Sequence, residues 1–117
     1  MSIIAEQIAI GQAFIEEIGA DVVNAVPAVI SVHPHLSGKP ELIELTFITI
    51  GYALSGVDDL AGLTVDRLAR HLAETAGVSP WDGPYQADMT REKYQGGYRA
   101  IADEYHFLAG RMGIIKV

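Results

Sequence analysis

Two histidines separated by a proline are the residues whose type and spacing best suit metal chemistry. In an extended segment, residues two positions apart point to the same side, so the imidazoles of His33 and His35 can face one metal ion. A third ligand would have to come from a carboxylate or histidine elsewhere, and the candidates are Asp58, Asp59, His71 and His106. No second cluster in the sequence has ligand spacing. The favoured interpretation is therefore two exposed loop histidines with no metal or other cofactor, and a metal site on His33 and His35 is the weaker alternative.

Catalysis by a side-chain nucleophile is not supported by the sequence. The chain has no cysteine, which excludes thiolate nucleophiles, thiolate zinc sites, iron–sulfur clusters and disulfides. His71 and His106 have no neighbouring serine in a strained turn and no glycine-rich oxyanion loop. We therefore expect a protein that is not an enzyme. The alternative is a helical enzyme, metal-dependent or acting on a small ligand, that uses His33, His35 and a carboxylate.

The charge of the chain favours a basic partner. The net charge is −7, and residues 41–89 hold eight acidic and two basic residues. Such a surface repels nucleic-acid phosphates and anionic membranes, and it attracts basic proteins over a distance. Leu63–Ser79 resembles the first helix and turn of a helix-turn-helix, but SPWDGPY stands where a basic recognition helix would follow. We expect no direct contact with nucleic acid or membrane; the alternative for the acidic surface is that it only keeps the protein soluble.

Aromatic residues in a loop and nearby carboxylates suggest how such a partner would be held. Trp81 and Tyr85 lie in a segment that its prolines and Asp-Gly pair predict to be a loop, and both residue types are enriched in interface hot spots. We expect an inhibitor or immunity-type protein that binds and blocks a basic protein, with carboxylates steering and the aromatic residues anchoring. The predicted partner-binding residues are Glu16, Glu17, Asp58, Asp59, Trp81, Asp82, Tyr85 and Asp88.

A second possibility is self-association through the last helix. Apolar residues recur there at alternating steps of four and three, the pattern of a heptad seam, and they are Tyr94, Tyr98, Ile101, Tyr105, Leu108 and Met112. A phage-type assembly or accessory factor that acts as a homo-oligomer would use this seam. The alternative is that the same residues belong to the core of one chain.

The elements that carry these residues are predicted to be helices. The longest apolar run, Pro40–Ser55, is apolar on all sides and predicts a central buried helix. Helices are also predicted from Ser2 to about Ile18, over Val65–Ala76, and from Asp88 or Thr90 to the C-terminal region. Within Val22–Val32, Pro27 predicts either a kinked helix or one helical turn followed by the extended run 28–32. The predicted fold is a single all-α domain, 1–117, with four or five helices; the alternative is α+β, with a hairpin from 28–32 and 42–50.

Local signals place the ends of several helices. Ser2 and Thr64 suit N-caps, and Gly19 and Gly77 suit left-handed C-terminal positions. Ion pairs four residues apart are predicted between Asp66 and Arg70 and between Arg70 and Glu74. The N-terminal segment is apolar but lacks a basic start, so it does not resemble a secretory signal, and we expect a cytoplasmic protein.

Overall fold

The structure, a computed structural model that describes residues 4–115, is built from helices joined by turns. Its α-helices are α1 (Ala5–Ile18), α2 (Val26–Val32), α3 (Pro40–Leu54), α4 (Val65–Ala76) and α5 (Arg91–Arg111), with single 3-10 turns at Pro34–Leu36 and Leu60–Gly62. No strand occurs between residues 4 and 115. The all-α prediction is confirmed. The hairpin alternative is wrong, because 28–32 belongs to α2 and 42–50 lies inside α3.

The long helices form two antiparallel pairs. Helix α1 packs on α3, with Gln7 beside Ser55 at one end of the pair and Glu16 beside Glu44 at the other. Helix α4 packs on α5 in the same way, with Ser79 after α4 hydrogen-bonded to Tyr94 near the start of α5 and Leu63 before α4 hydrogen-bonded to His106 near its end. Helix α2 lies against both α3 and α5 and so connects the two pairs.

One contiguous cluster of apolar side chains joins the pairs. Its most deeply buried large members are Ile50, Leu54, Leu68, Leu108, Met112 and Val29, so α2, α3, α4, α5 and the segment after α5 all contribute. Burying a side chain of this size stabilises the fold by about 1.5–3 kcal/mol. Helix α3 supplies six buried residues, more than any other helix, as its predicted central position requires. It is not buried on every side, however, because Leu42 in its first turn is 44% exposed.

Helix α1 makes its closest approach to α3 at a glycine. The sequence predicts a broad apolar side, yet Gly11 is the only buried residue between Ala5 and Ile18. Gly11 lies against the backbone of Ile48, and a Cβ added at Gly51 would stand 2.8 Å from the Gly11 carbonyl oxygen. Two glycines facing each other let the backbones of α1 and α3 approach closely. Of the apolar side chains of α1, Phe14 and Ile15 pack partly buried against the core, whereas Ile10 and Ile18 are exposed.

The predicted helix ends are largely confirmed. The Thr64 hydroxyl accepts a hydrogen bond from the Arg67 N–H at 3.2 Å, and Gly19 and Gly77 adopt left-handed conformations with φ of 70° and 68°. The predicted Ser2 cap lies outside the described residues, and α1 begins at Ala5. Thr90, not Asp88, caps α5, since its hydroxyl accepts from the Lys93 N–H at 3.2 Å.

The segment between α1 and α3 contains a helix and no extended run. Pro27 falls in the first turn of α2, where its missing N–H costs no hydrogen bond, so the helix continues unbroken to Val32. Asp21 does not cap this helix directly. It accepts hydrogen bonds from the side chain of Asn24 at 2.7 Å and from its N–H at 3.1 Å, and so fixes the turn before α2.

The two predicted ion pairs of α4 have different outcomes. Arg70 and Glu74 are 2.8 Å apart, as predicted. The predicted pair of Asp66 with Arg70 is wrong, because Asp66 instead lies 2.8 Å from Arg99 on α5. An exposed pair of this kind stabilises a protein by about 0–1 kcal/mol, so it contributes little to the packing of α4 on α5.

The heptad seam of α5 is only partly buried. Tyr94 and Leu108 lie in the core of this chain, whereas Ile101 is 45% exposed and its neighbour Ala102 is fully buried. A straight helix has 3.6 residues per turn, so a strict seven-residue repeat drifts away from the packed side. Of the predicted oligomer residues, Ile101 therefore faces outward most, while Tyr98 and Tyr105 are half-buried.

Because Ile101 is exposed and Ala102 is buried, a glutamate at these two neighbouring positions should affect stability very differently. We expect Ile101→Glu to change the free energy of unfolding by no more than about 0.5 kcal/mol, because the new carboxylate reaches solvent. Ala102→Glu buries a charge in the core and should prevent folding. Circular dichroism and thermal melts of the two variants measure the difference. Unfolding of Ile101→Glu would contradict the exposure described here.

Candidate interaction groove

A groove of about 450 Å³ opens between α1, the turn before α2, and α3. Its walls are mostly apolar, and its edge carries the amide of Gln12 and two carboxylates, Glu16 and Glu44. The apolar lining residues are Ile15, Val22, Val23, Val26, Pro40, Ile43, Phe47 and Ile48. An apolar concave surface with a few polar groups at its edge is the usual form of a binding site.

The groove follows from how α1 and α3 cross. At Gly11 and Gly51 the two backbones touch, and towards the C-terminal end of α1 the larger side chain of Ile15 enters the lining. The chain then turns after Gly19, and the Asp21 N–H donates to the Met112 carbonyl at 2.8 Å. The side-chain hydrogen bond from Asn24, followed by the one from its N–H, lowers the pKa of Asp21, so the turn is held by an ionised group.

The turn before α2 presents an apolar side chain to solvent. Val23 is 77% exposed, more than any other large apolar residue of the described chain, and it forms one edge of the groove. A single exposed valine is ordinary on a protein surface. Here it lines the same groove as the buried residues Phe47 and Ile48, so the apolar lining extends from the core to the solvent-exposed edge.

The charged residues that line the groove are all acidic. In the part of the chain that the structure describes, no lysine, arginine or histidine lines it. Glu16 and Glu44 are exposed, and neither forms an ion pair with any residue between positions 4 and 115. Both carboxylates are therefore available to cations from another molecule. Of the two, the sequence predicted Glu16; Glu44 carries no signal beyond its place in the first turns of a helix.

The other predicted acidic residues lie elsewhere on the surface. Glu17 is exposed on α1 but does not line the groove. Asp58 and Asp59 sit in the turn after α3, which Arg67 holds by donating to the Asp58 carbonyl at 2.8 Å and the Gly62 carbonyl at 3.2 Å. The predicted set is thus distributed over separate places and does not form one continuous surface around the groove.

The loop aromatic residues pack on α5. The Tyr85 ring lies 5.0 Å from that of Tyr94, and the Trp81 ring lies 6.5 Å from it. The Tyr85 hydroxyl and the Gln95 amide both donate to the Trp81 carbonyl, at 2.7 and 2.9 Å. The rings are half-buried and fasten the loop to the helix. Their predicted role as anchors for a partner stays a prediction.

The two acidic residues of this loop are exposed. Asp82 forms a loose ion pair with Arg91, 3.8 Å away, at the start of α5. Asp88 adopts a left-handed conformation with φ of 66° just before the Thr90 cap. Neither carboxylate lines the groove.

The histidine pair meets a carboxylate that the sequence did not indicate. The Nε2 atom of His33 lies 3.0 Å from Glu104 of α5, and the rings of His33 and His35 meet edge to face, 5.6 Å apart. Within residues 4–115, no three histidine or acidic side chains are grouped so that they could hold a metal ion. The four third-ligand candidates of the sequence are not at this place. His106, for example, contacts the Leu63 carbonyl at 2.8 Å.

Comparison with protein-family models, with curated proteins and with solved structures found no match to this chain. Among residues 4–115, none of the helices combines the length and the apolar character needed to cross a membrane.

Proposed function

We propose that this protein is a non-enzymatic binding module that blocks a basic partner protein by accepting one of its amphipathic segments between α1 and α3. The observation that supports this is the groove itself, an apolar surface whose charged lining residues, within 4–115, are two carboxylates without an ion-pair partner in that range. The proposed place of action is the cytoplasm. Blocking is by occlusion: the segment held in the groove is no longer available for the partner's own activity.

The segment that fits has both an apolar and a cationic side. An aliphatic or aromatic side chain would fill the lining and cover Val23, with a gain of about 25 cal/mol for each Å² of apolar surface removed from water. Lysine or arginine residues flanking it would pair with Glu16 and Glu44. The net charge of −7 would speed the encounter and make it sensitive to salt.

A defined peptide tests the site directly. The probe is an amphipathic peptide of leucine and lysine, compared with a peptide of the same length in which glutamate replaces every lysine. In a titration followed by backbone amide shifts, we expect the lysine peptide to perturb groove residues such as Val22, Val23 and Phe47, and to bind more weakly as salt rises. The glutamate peptide should not bind. Equal binding of the two peptides would contradict the proposal.

Charge substitutions separate this groove from the general acidity of the surface. The double variant Glu16→Gln/Glu44→Gln should weaken lysine-peptide binding about 2- to 30-fold, since each of the two exposed pairs contributes about 0.2–1 kcal/mol. The double variant Glu17→Gln/Glu92→Gln removes the same charge from positions outside the groove and should bind nearly as the wild type does. Equal loss in both double variants would show that only net charge matters.

The same variants test the native partner. A basic protein captured from the host at low salt should be released by raised salt, captured in smaller amount by Glu16→Gln/Glu44→Gln, and captured as by the wild type by Glu17→Gln/Glu92→Gln. Capture of no basic protein, or equal capture by both double variants, would overturn the blocking function as described.

A further inference from the structure

A second cleft lies where the four long helices meet, at the opposite end of the α1–α3 pair from the groove. Its volume is about 470 Å³, within the range of small-molecule sites. Each helix contributes a polar side chain to the lining: Gln7 from α1, Tyr52 from α3, Thr75 from α4 and Tyr105 from α5. The imidazole of His71 and the hydroxyls of Thr49 and Ser55 line it as well.

Several of these polar groups have no protein partner. In the described part of the chain, the hydroxyls of Tyr52, Thr75 and Tyr105 and the ring of His71 make no hydrogen bond to other residues. This contrasts with Tyr94, whose hydroxyl donates to the Ser79 carbonyl at 2.6 Å. The residues that carry these groups come from α3, α4 and α5 and line the same cleft, so a single bound molecule would contact several of them.

The hydroxyl oxygens of the cleft also supply acceptors. Thr49 donates its hydroxyl proton to the Leu45 carbonyl at 2.8 Å, and Ser55 donates to the Tyr52 carbonyl at 2.8 Å. The oxygen lone pairs of both hydroxyls remain free to accept. Burial, and then the charge of Glu104, raise the pKa of Tyr105, so this phenol keeps its proton and stays a donor.

Most charged residue types are missing from the described lining of the cleft. Among residues 4–115, no lysine, arginine, aspartate or glutamate lines it, and His71 is its one basic residue, although the chain is strongly acidic overall. An ionised ligand would therefore be taken out of water without an opposite charge beside it, which is costly. Leu72, Ala53 and Ala76 add apolar surface between the polar groups. The lining thus favours a neutral molecule that both donates and accepts hydrogen bonds and has some apolar edge.

We propose that this cleft binds an uncharged, polyhydroxylated ring, either a free monosaccharide or the sugar of a nucleoside. Its hydroxyls accept from and donate to Tyr52, Thr75 and Tyr105, and its C–H edges pack on Leu72. The site is separate from the groove between α1 and α3, and the proposal does not depend on the blocking function.

Titration with neutral and charged probes tests the ligand class. The probes are glucose and adenosine, each compared with its phosphorylated form, glucose 6-phosphate or adenosine monophosphate, by backbone amide shifts. We expect saturable shifts at Thr49, Thr75 and Tyr105 from one of the neutral probes, and a weaker effect from its phosphorylated form. A response to glucose identifies a free sugar as the ligand chemistry, and a response to adenosine alone identifies a nucleoside. No saturable shift from either neutral probe, or tighter binding of a phosphorylated one, overturns the proposal.

Conservative variants then test the contacts. Tyr105→Phe and Thr75→Val each remove a hydroxyl that has no protein partner, so both should fold normally and weaken binding of the responding probe about 5- to 10-fold. Tyr98→Phe removes a phenol hydroxyl outside the cleft and should bind as the wild type does. Unchanged binding in both cleft variants, or equal loss in all three, overturns the assignment of the ligand to this cleft.

Discussion

Replacing Gly11 by alanine should lower the free energy of unfolding by about 2–3 kcal/mol, because the added methyl group meets the backbone of α3 at Ile48. A flexible side chain could move aside, but a backbone carbonyl cannot do so unless the whole helix shifts. The better helix propensity of alanine offsets only about 1 kcal/mol of this loss in the free energy of unfolding. Gly51→Ala should also lower the free energy of unfolding, since its methyl group would press on the Gly11 carbonyl and on Ile15. Urea unfolding followed by circular dichroism measures both changes.

The glycines of α5 supply the control. A Cβ at Gly96 or Gly97 would have no atom within 4 Å, so the same substitution only improves helix propensity there. We expect Gly96→Ala and Gly97→Ala each to raise the free energy of unfolding by about 0.5–1 kcal/mol. If Gly11→Ala were stabilising as well, α1 and α3 could not be in the close contact described above.

Truncating Tyr94 to alanine should lower the free energy of unfolding by about 3–5 kcal/mol, the usual range for an aromatic side chain lost from a core. Tyr94 is 6% exposed, and its ring is the common neighbour of Trp81, Tyr85 and Tyr98. Without it, the loop from Gly77 to Thr90 loses the surface on which its aromatic rings pack. Tyr94→Phe keeps the ring and removes only the hydrogen bond to the Ser79 carbonyl, so it should cost about 1 kcal/mol.

The single tryptophan of the chain reports on this cluster. Trp81 fluorescence should shift towards that of an exposed indole in Tyr94→Ala and change little in Tyr94→Phe. Tyr98→Phe, which alters a neighbouring ring without breaking a hydrogen bond, is the reference variant. An unchanged emission spectrum in folded Tyr94→Ala would mean that Trp81 does not depend on Tyr94 for its position.

Features that depend on a few adjacent residues could be predicted from the sequence. Thr64 and Gly77 delimit α4 because a cap hydroxyl and a left-handed glycine act within one helical turn. Pro40 marks the start of α3 for the same kind of local reason. The all-α class follows from such signals together with the helical spacing of apolar residues.

Features that depend on residues far apart in the chain could not be predicted. Asp66 has a partner of suitable charge four residues away, and only the packing of α4 on α5 shows that it contacts Arg99 instead. The groove was missed for a similar reason. Glu16 and Glu44 are far apart in sequence, and their proximity results from the antiparallel crossing at Gly11 and Gly51.

The choice between Ile101 and Ala102 in α5 shows the limit of periodicity. The seven-residue repeat predicted Ile101 to face inward because it is a large apolar residue, whereas the helix buries its small neighbour Ala102. The hydrophobicity of a residue alone does not show which side of a helix is packed.

The limited burial of α1 has a consequence for local unfolding of the protein. Helix α1 packs chiefly on α3, and its one fully buried residue is Gly11, with Phe14 and Ile15 partly buried against the core. Helices α4 and α5 each contribute several buried residues to that core. The free energy needed to detach α1 alone is therefore smaller than that of global unfolding, and its amide protons exchange with solvent sooner than those of α5. Because α1 forms one wall of the groove, a molecule bound there slows this exchange. The measured binding free energy therefore includes the free energy needed to keep α1 packed on α3.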